Sequence, residues 1–127
     1  MINKIIYLIY SMLKSKQLFS CGSNVRIHYP IKINNPKQVQ IGKDVSIFEY
    51  CWINCLDSEK KPALKIGDNC SIGRFAHINA YKSVTIEDGV MIAERVHISD
   101  ERHIYADSEV PIINQGTEFI GKVLIKS

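Results

Sequence analysis

The side chains best suited to chemistry in this chain gather in two places. Asp100, Glu101, Arg102 and His103 stand in a row just past Ile98, while His77 and His97 lie earlier. A neutral imidazole, with an unperturbed pKa of about 6.5, can take a proton from a hydroxyl near neutral pH. A neighbouring carboxylate can orient the ring or stabilise it once protonated. His103 with Asp100 or Glu101 has the residue types for that work. A lone histidine at the start of a loop is also an ordinary surface residue, so the types alone do not assign it. His77 and His97 could hold a metal or line a subunit contact, yet spacing places no carboxylate or third histidine beside them as a zinc site requires. The cysteines, Cys21, Cys51, Cys55 and Cys70, lack paired CxxC spacing.

What must position these residues is a repeat. Isoleucine returns at Ile66, Ile72 and Ile78, and again at Ile86, Ile92 and Ile98, six residues apart each time. Small or β-branched residues follow four later at Cys70, Ala76, Val90 and Val96. Gly67, Gly73 and Ala93 directly follow an isoleucine, where a sharp corner would need a small residue. A period of six fits neither a helical stripe nor a simple alternating strand. Three short strands per coil satisfy it, which makes a parallel β-helix with its large residues inward. Ile41, Ile47 and Ile53 form an earlier triplet, and Cys21, Ile27 and Ile33 a weaker one. Stacked, they give three ladders: Cys21/Ile41/Ile66/Ile86, Ile27/Ile47/Ile72/Ile92 and Ile33/Ile53/Ile78/Ile98. Trp52, His77 and His97, each directly before an inward isoleucine, then share one outward column. Asn54, Asn79 and Ser99 form the next, where tolerance of left-handed backbone would suit a turn.

Counting between the coil-closing residues Val39, Leu64, Val84 and Val123 puts every insertion at one corner of the triangle. A solenoid carries its insertions on one face, often the working one. The insertion Leu56 to Ala63 reads as a charged surface loop. The longest, Ser99 to Lys122, exceeds what a turn needs, and loops of that length are usually functional or disordered.

At 127 residues and 46% apolar content the chain is one small domain with enough material for a core. Its net charge of +3 is carried by scattered basic residues, unlike the clustered surface of a nucleic-acid binder. Cys21, Cys51 and Cys70 fall on inward positions, where free cysteine packs as a small hydrophobe in a reducing compartment. Residues 1–20 form a separate amphipathic helix and 21–127 the β-helix. In the helix Ile2, Ile5, Ile6, Ile9 and Leu13 make a stripe, too short for the about 20 residues a bilayer span needs. It reads either as a cap over the open end of the solenoid or as an interfacial helix. In the second case residues 1–16 touch a membrane, with Lys4, Lys14 and Lys16 facing headgroups.

From Cys21 onward the hexads resemble the hexapeptide-repeat acyltransferases, whose β-helices carry acetyl or longer acyl groups from a thioester to an acceptor. The resemblance implies an all-β, left-handed parallel β-helix of about four coils with a short N-terminal α-helix. Left-handedness rests on the resemblance, because parallel crossovers are otherwise right-handed. The segment ISDERHIY is similar to the ISD-x-x-H form of the O-acetyltransferases of cell-surface polysaccharide synthesis, and PIINQG resembles their proline-containing loop end. That match puts His103 at the catalytic position, as general base for a sugar hydroxyl attacking the thioester carbonyl. Glu101 stands where those relatives commonly carry another histidine. Phe75 and Ala80 fall near positions that hold Asn and Asp in the galactoside and maltose enzymes. Asn79, Asp100 and Tyr105 are the expected acceptor contacts. The resemblance further implies acetyl-CoA as donor, no metal, a homotrimer, and a polysaccharide or lipopolysaccharide precursor as acceptor in the cytoplasm.

Two rivals use the same residues differently. A hydratase of the carbonic anhydrase type would need His77, His97 and His103 to converge on zinc between subunits. A non-catalytic, oligomerising remnant is suggested by the ending GKVLIKS, where Val123 and Ile125 restart the repeat and the sequence stops in mid-hexad, as though truncated.

Overall fold

The computed structural model describes residues 2–56 and 62–127. The period of six is realised as three parallel sheets, each built from one short strand per coil. The first contains Ser20–Cys21, Val39–Ile41, Leu64–Ile66, Val84–Ile86 and Val123–Ile125. The second contains Arg26–Ile27, Ser46–Ile47, Ser71–Ile72 and Met91–Ile92, and the third Lys32–Asn34, Trp52–Cys55, His77–Ala80 and His97–Ser99. The register stacks isoleucine on isoleucine in all three expected ladders, and the first continues from Ile86 to Ile125. The chain is a left-handed parallel β-helix.

Burial explains why the period tolerates so little else. Ile47, Ile53, Ile72 and Ile78 are fully enclosed, and each such side chain contributes about 1.5–3 kcal/mol relative to exposure. Gly67 and Gly73 serve close approach here, not a left-handed backbone. A Cβ on Gly73 would lie 2.7 Å from the backbone carbon of Ala93 in the next coil. Left-handed residues recur from coil to coil at two corners, with different chemistry at each, and Asn35 adds a single one at the third. Between the first and second sheets they are Asn24, Asp44, Asn69 and Gly89, the types that adopt φ > 0 easily. Between the second and third they are Tyr50, Phe75 and Arg95. There Tyr50 and Phe75 stack at 5.1 Å, with the Arg95 guanidinium 5.2 Å over Phe75. Asn54 and Asn79, expected to supply turn geometry, instead lie within strands, and Asn34 donates to Asn54 across coils at 3.1 Å.

All four cysteines are free thiols, three of them buried, and Cys55 joins the core alongside Cys51 and Cys70. The insertions all leave between a third-sheet strand and the following first-sheet strand. The charged loop read over Leu56 to Ala63 rests largely on residues 57–61, which lie outside the described residues.

The N-terminal helix, Ile2–Gln17, lies against the first two strands of the solenoid. Two of its hydroxyls meet backbone groups that no preceding coil pairs. Ser11 Oγ accepts from Ile27 N–H at 2.9 Å and donates to Val25 O at 3.1 Å. Tyr10 Oη accepts from Ile31 N–H at 3.3 Å. The stripe of Ile5, Ile6, Ile9 and Leu13 points away from the protein. No helix among the described residues is long and apolar enough to cross a membrane.

Candidate functional site

The chain leaves the solenoid at Asp100, and the side chain there turns inward. Asp100 is fully buried. One carboxylate oxygen accepts from Tyr81 N–H at 2.6 Å, the other from Lys82 and Ser83 N–H at 2.8 and 2.7 Å. Its backbone carbonyl accepts from Ile120 N–H at 2.9 Å. One residue therefore fastens the turn at 81–83 to both the start and the end of the long insertion. Burial, with the charge of Asp100 adding to it, pushes the Cys55 thiol up to about 12, so that sulfur stays protonated and inert. Asp100, expected as an acceptor contact, has backbone partners for both its oxygens.

Beyond Asp100 the insertion forms a small hairpin. Glu101–His103 runs antiparallel to Thr117–Phe119, placing His103 opposite Thr117. Arg102 bridges to Glu118 at 2.7 Å across the two strands. Ile104 N–H donates to Gly116 O at 3.0 Å, and the short helix Ile112–Gln115 fills the tip. Gln115 Nε2 closes it by donating to Asp107 O at 2.8 Å and Val110 O at 2.6 Å. His103 is exposed on this hairpin. Tyr105 is also exposed, its ring 5.9 Å from the Arg102 guanidinium. Among the described residues no hydrogen bond joins His103 to Asp100 or Glu101.

Behind the hairpin root, the outward column of the third sheet is a continuous stack. Trp52 and His77 lie 4.5 Å apart and His77 and His97 4.9 Å apart, all with planes within 7°. The Lys32 ammonium sits 4.5 Å over Trp52. Parallel imidazoles direct their in-plane lone pairs side by side, so His77 and His97 do not converge on one ion. Among the described residues no group of three His, Cys, Asp or Glu is gathered as a metal site would need.

What this face does gather is unmet polar atoms. His77 Nε2, Asn79 Oδ1 and Glu101 Oε2 are buried and make no hydrogen bond of good geometry within the chain, although the Asn79 side chain reaches the His77 ring. Each such atom costs about 1–3 kcal/mol if nothing answers it, and both Asn79 and Glu101 lie close enough to act on the His77 ring. Ser99 helps set Glu101, its Oγ accepting from Glu101 N–H at 3.2 Å and donating to Glu101 O at 3.1 Å. The structure thus brings Asn79 together with His77 and Glu101, and leaves His103 and Tyr105 out on the hairpin. Glu101 reads from sequence as a neighbour of His103 and as the place where relatives carry another histidine, but not as part of this face. Continuing the alternation of His97 and Ser99 by one more step would have put it on this face.

Burial, then the charge of neighbouring His97, lowers the pKa of His77, while Asn79 and Glu101 pull the other way. An imidazole whose pKa is lower in the folded state takes up protons more readily once unfolded. The stability it contributes is complete above the unfolded value of about 6.5 and is lost as pH falls through the folded one. Wild type is therefore expected to lose more urea resistance than His77→Phe between about pH 7.5 and about pH 5. Equal losses would trace the acid sensitivity to other groups.

Comparison with known proteins agrees with this architecture. No protein-family model matches the chain. A probable acetyltransferase of Mycobacterium tuberculosis is 32% identical over 95 residues, covering 75% of this chain and 29% of that protein. The dTDP-4-amino-4,6-dideoxy-D-glucose acyltransferase of Escherichia coli is 30% identical over 128 residues, covering 94% of this chain and 65% of that protein. The chain spans less than two thirds of the length of either relative. Among solved structures, AntD, an N-acyltransferase from Bacillus cereus in complex with dTDP and 3-hydroxybutyryl-CoA, shares the fold. Its TM-score is 0.73 at 22% identity, covering 93% of this chain and 62% of that one. A mutant of the same enzyme in complex with dTDP-4-amino-4,6-dideoxyglucose and coenzyme A gives the same figures. Hexad ladders, β-helix and relatives together bear out the resemblance to the hexapeptide-repeat acyltransferases. One of these relatives is named for acylating a dTDP-linked amino sugar, and the solved structures are of an N-acyltransferase.

Proposed function

We propose that the chain acts as a coenzyme A-dependent sugar acyltransferase, with acetyl-CoA as donor and His103 as general base. The observation carrying this reading is the hairpin that holds His103 exposed, opposite Thr117, at the position the resemblance gives the catalytic base. In the reaction His103 takes the acceptor proton as the acceptor oxygen attacks the thioester carbonyl carbon. The tetrahedral oxyanion collapses, the C–S bond breaks, and the leaving thiolate recovers the proton from the imidazolium. Tyr105 offers the acceptor an exposed ring and hydroxyl, and the half-buried Asn79 is the second contact. Asp100 serves by fixing where the hairpin begins and ends. The resemblance supports a homotrimer working in the cytoplasm on a precursor of cell-surface polysaccharide or lipopolysaccharide.

A second reading concerns the nucleophile. The E. coli relative is named for a 4-amino sugar and the B. cereus enzyme for N-acyl transfer, which favours an amine in place of a hydroxyl. The same base and the same oxyanion would serve. Supplying acetyl-CoA with a dTDP-linked 4-amino sugar, or with its 4-hydroxy counterpart, and following thiol release separates the two. Turnover of the hydroxy sugar supports ester formation, and turnover of the amino sugar alone supports amide formation. Turnover of neither, nor of any polysaccharide precursor, would defeat the proposal.

A further inference from the structure

The N-terminal helix is packed inside out. Its polar side faces the protein, where Ser11 is buried and hydrogen-bonded to Val25 and Ile27, and Ser15 Oγ donates to Ser11 O at 2.8 Å. The opposite side ends at the exposed Lys16 and, before it, carries Leu8, Met12, Ile5, Ile9, Leu13 and Ile6 round a helix of 3.6 residues per turn. Each of these apolar residues is between 51% and 62% exposed. Isolated exposed apolar residues are ordinary, but a contiguous face of them marks an interaction surface. The hydroxyls of Tyr10 and Ser11 hold that face outward by tying the other side to the first coil.

Charge narrows the choice of partner. Ile2–Gln17 contains Lys4, Lys14 and Lys16 and no acidic residue. A groove of about 840 Å³ between the helix and the first coil is lined by Lys4, Lys16 and Arg26 and by Leu8 and Met12, the edge of the exposed row nearest the coil. A second copy of the helix would bring lysine towards lysine, with no carboxylate on either helix to answer them. An anionic bilayer answers both features at once. Its acyl region accepts the isoleucines and leucines, and its phosphates accept the cations.

We propose that this helix lies in the plane of an anionic membrane surface, its outward face inserted at the headgroup boundary and its lysines on lipid phosphates. The helix covers the solenoid end with one side and the lipid with the other. This docking holds whatever reaction the hairpin performs, so it is tested without an activity assay. Full-length protein is floated with vesicles of phosphatidylcholine alone and of phosphatidylcholine mixed with phosphatidylglycerol. Wild type is expected to float with the mixed vesicles and weakly with the neutral ones. Ile5→Glu/Ile9→Glu, at exposed positions that leave the packed side intact, is expected to lose flotation while keeping its circular dichroism spectrum. Lys4→Glu/Lys16→Glu should weaken binding to the mixed vesicles, since each basic residue near an anionic surface is worth about 1 kcal/mol, about five-fold in partitioning. No flotation of folded wild type, equal flotation on both vesicle types, or undiminished flotation of the isoleucine variant would overturn the proposal. Dissociation of an oligomer by that variant, without vesicle binding by wild type, would overturn it in favour of a second copy.

Discussion

Replacing His103 by alanine is expected to lower acyl transfer at least about 10²-fold, the low end of what a positioned general base contributes. The loss should fall on kcat, with the KM for acetyl-CoA little changed, because the imidazole acts on the acceptor's proton and not on the donor. Stability should hold within about 0.5 kcal/mol, the range for exposed positions free of special roles. His103 is exposed, and only its backbone sits in the hairpin ladder with Thr117. The measurement is steady-state kinetics on wild type and variant, with urea unfolding alongside. Turnover within about three-fold of wild type would move the base elsewhere, with Glu101 and His77 next in line.

Asp100→Ala is expected to do the opposite, acting on stability first. Its carboxylate answers three backbone N–H groups at 2.6, 2.8 and 2.7 Å from a fully buried position. Alanine leaves those donors without their acceptor, and each buried donor so orphaned costs about 1–3 kcal/mol. A destabilisation of at least about 3 kcal/mol follows, read as a lower urea midpoint at unchanged slope. Asp100→Asn should fall between, since one amide oxygen can still accept while the NH₂ group confronts donors. A midpoint for the alanine variant close to wild type would mean that water replaces the carboxylate. Asp100 would then be free to serve the acceptor directly.

The contrast between these two residues shows what can be read from the chain unaided. The ladders were legible because an isoleucine every six residues leaves one geometry in which all of them are buried, and the structure stacks them in that register. The outward column of Trp52, His77 and His97 followed from the same register. Asp100 was not legible as an anchor, since an acid beside another acid after a strand reads as surface. Its role depends on the turn at 81–83, a whole coil away in sequence. Tyr50, Phe75 and Arg95 were missed for a different reason. Backbone preference alone would put Asn or Gly at left-handed corners, as it does at Asn24 and Gly89, so nothing local announces large residues there. The helix left a cap and an interfacial reading open, because an apolar stripe is ordinarily the buried one. Two hydroxyls reverse it here.

The return at Val123 bears on how much such a hairpin can vary. Val123–Ile125 pairs with Val84–Ile86 residue for residue, as Val84–Ile86 pairs with Leu64–Ile66. The stack above and below therefore keeps no memory of how many residues were spent between Ser99 and Lys122. Lengthening or shortening that span alters the reach of the hairpin without changing the address of a single isoleucine, and closing a longer loop adds only about 0.6 kcal/mol per doubling of length. The part of the chain that carries His103 is a cassette, clipped at its root by Asp100 and free to change while the solenoid stays as it is.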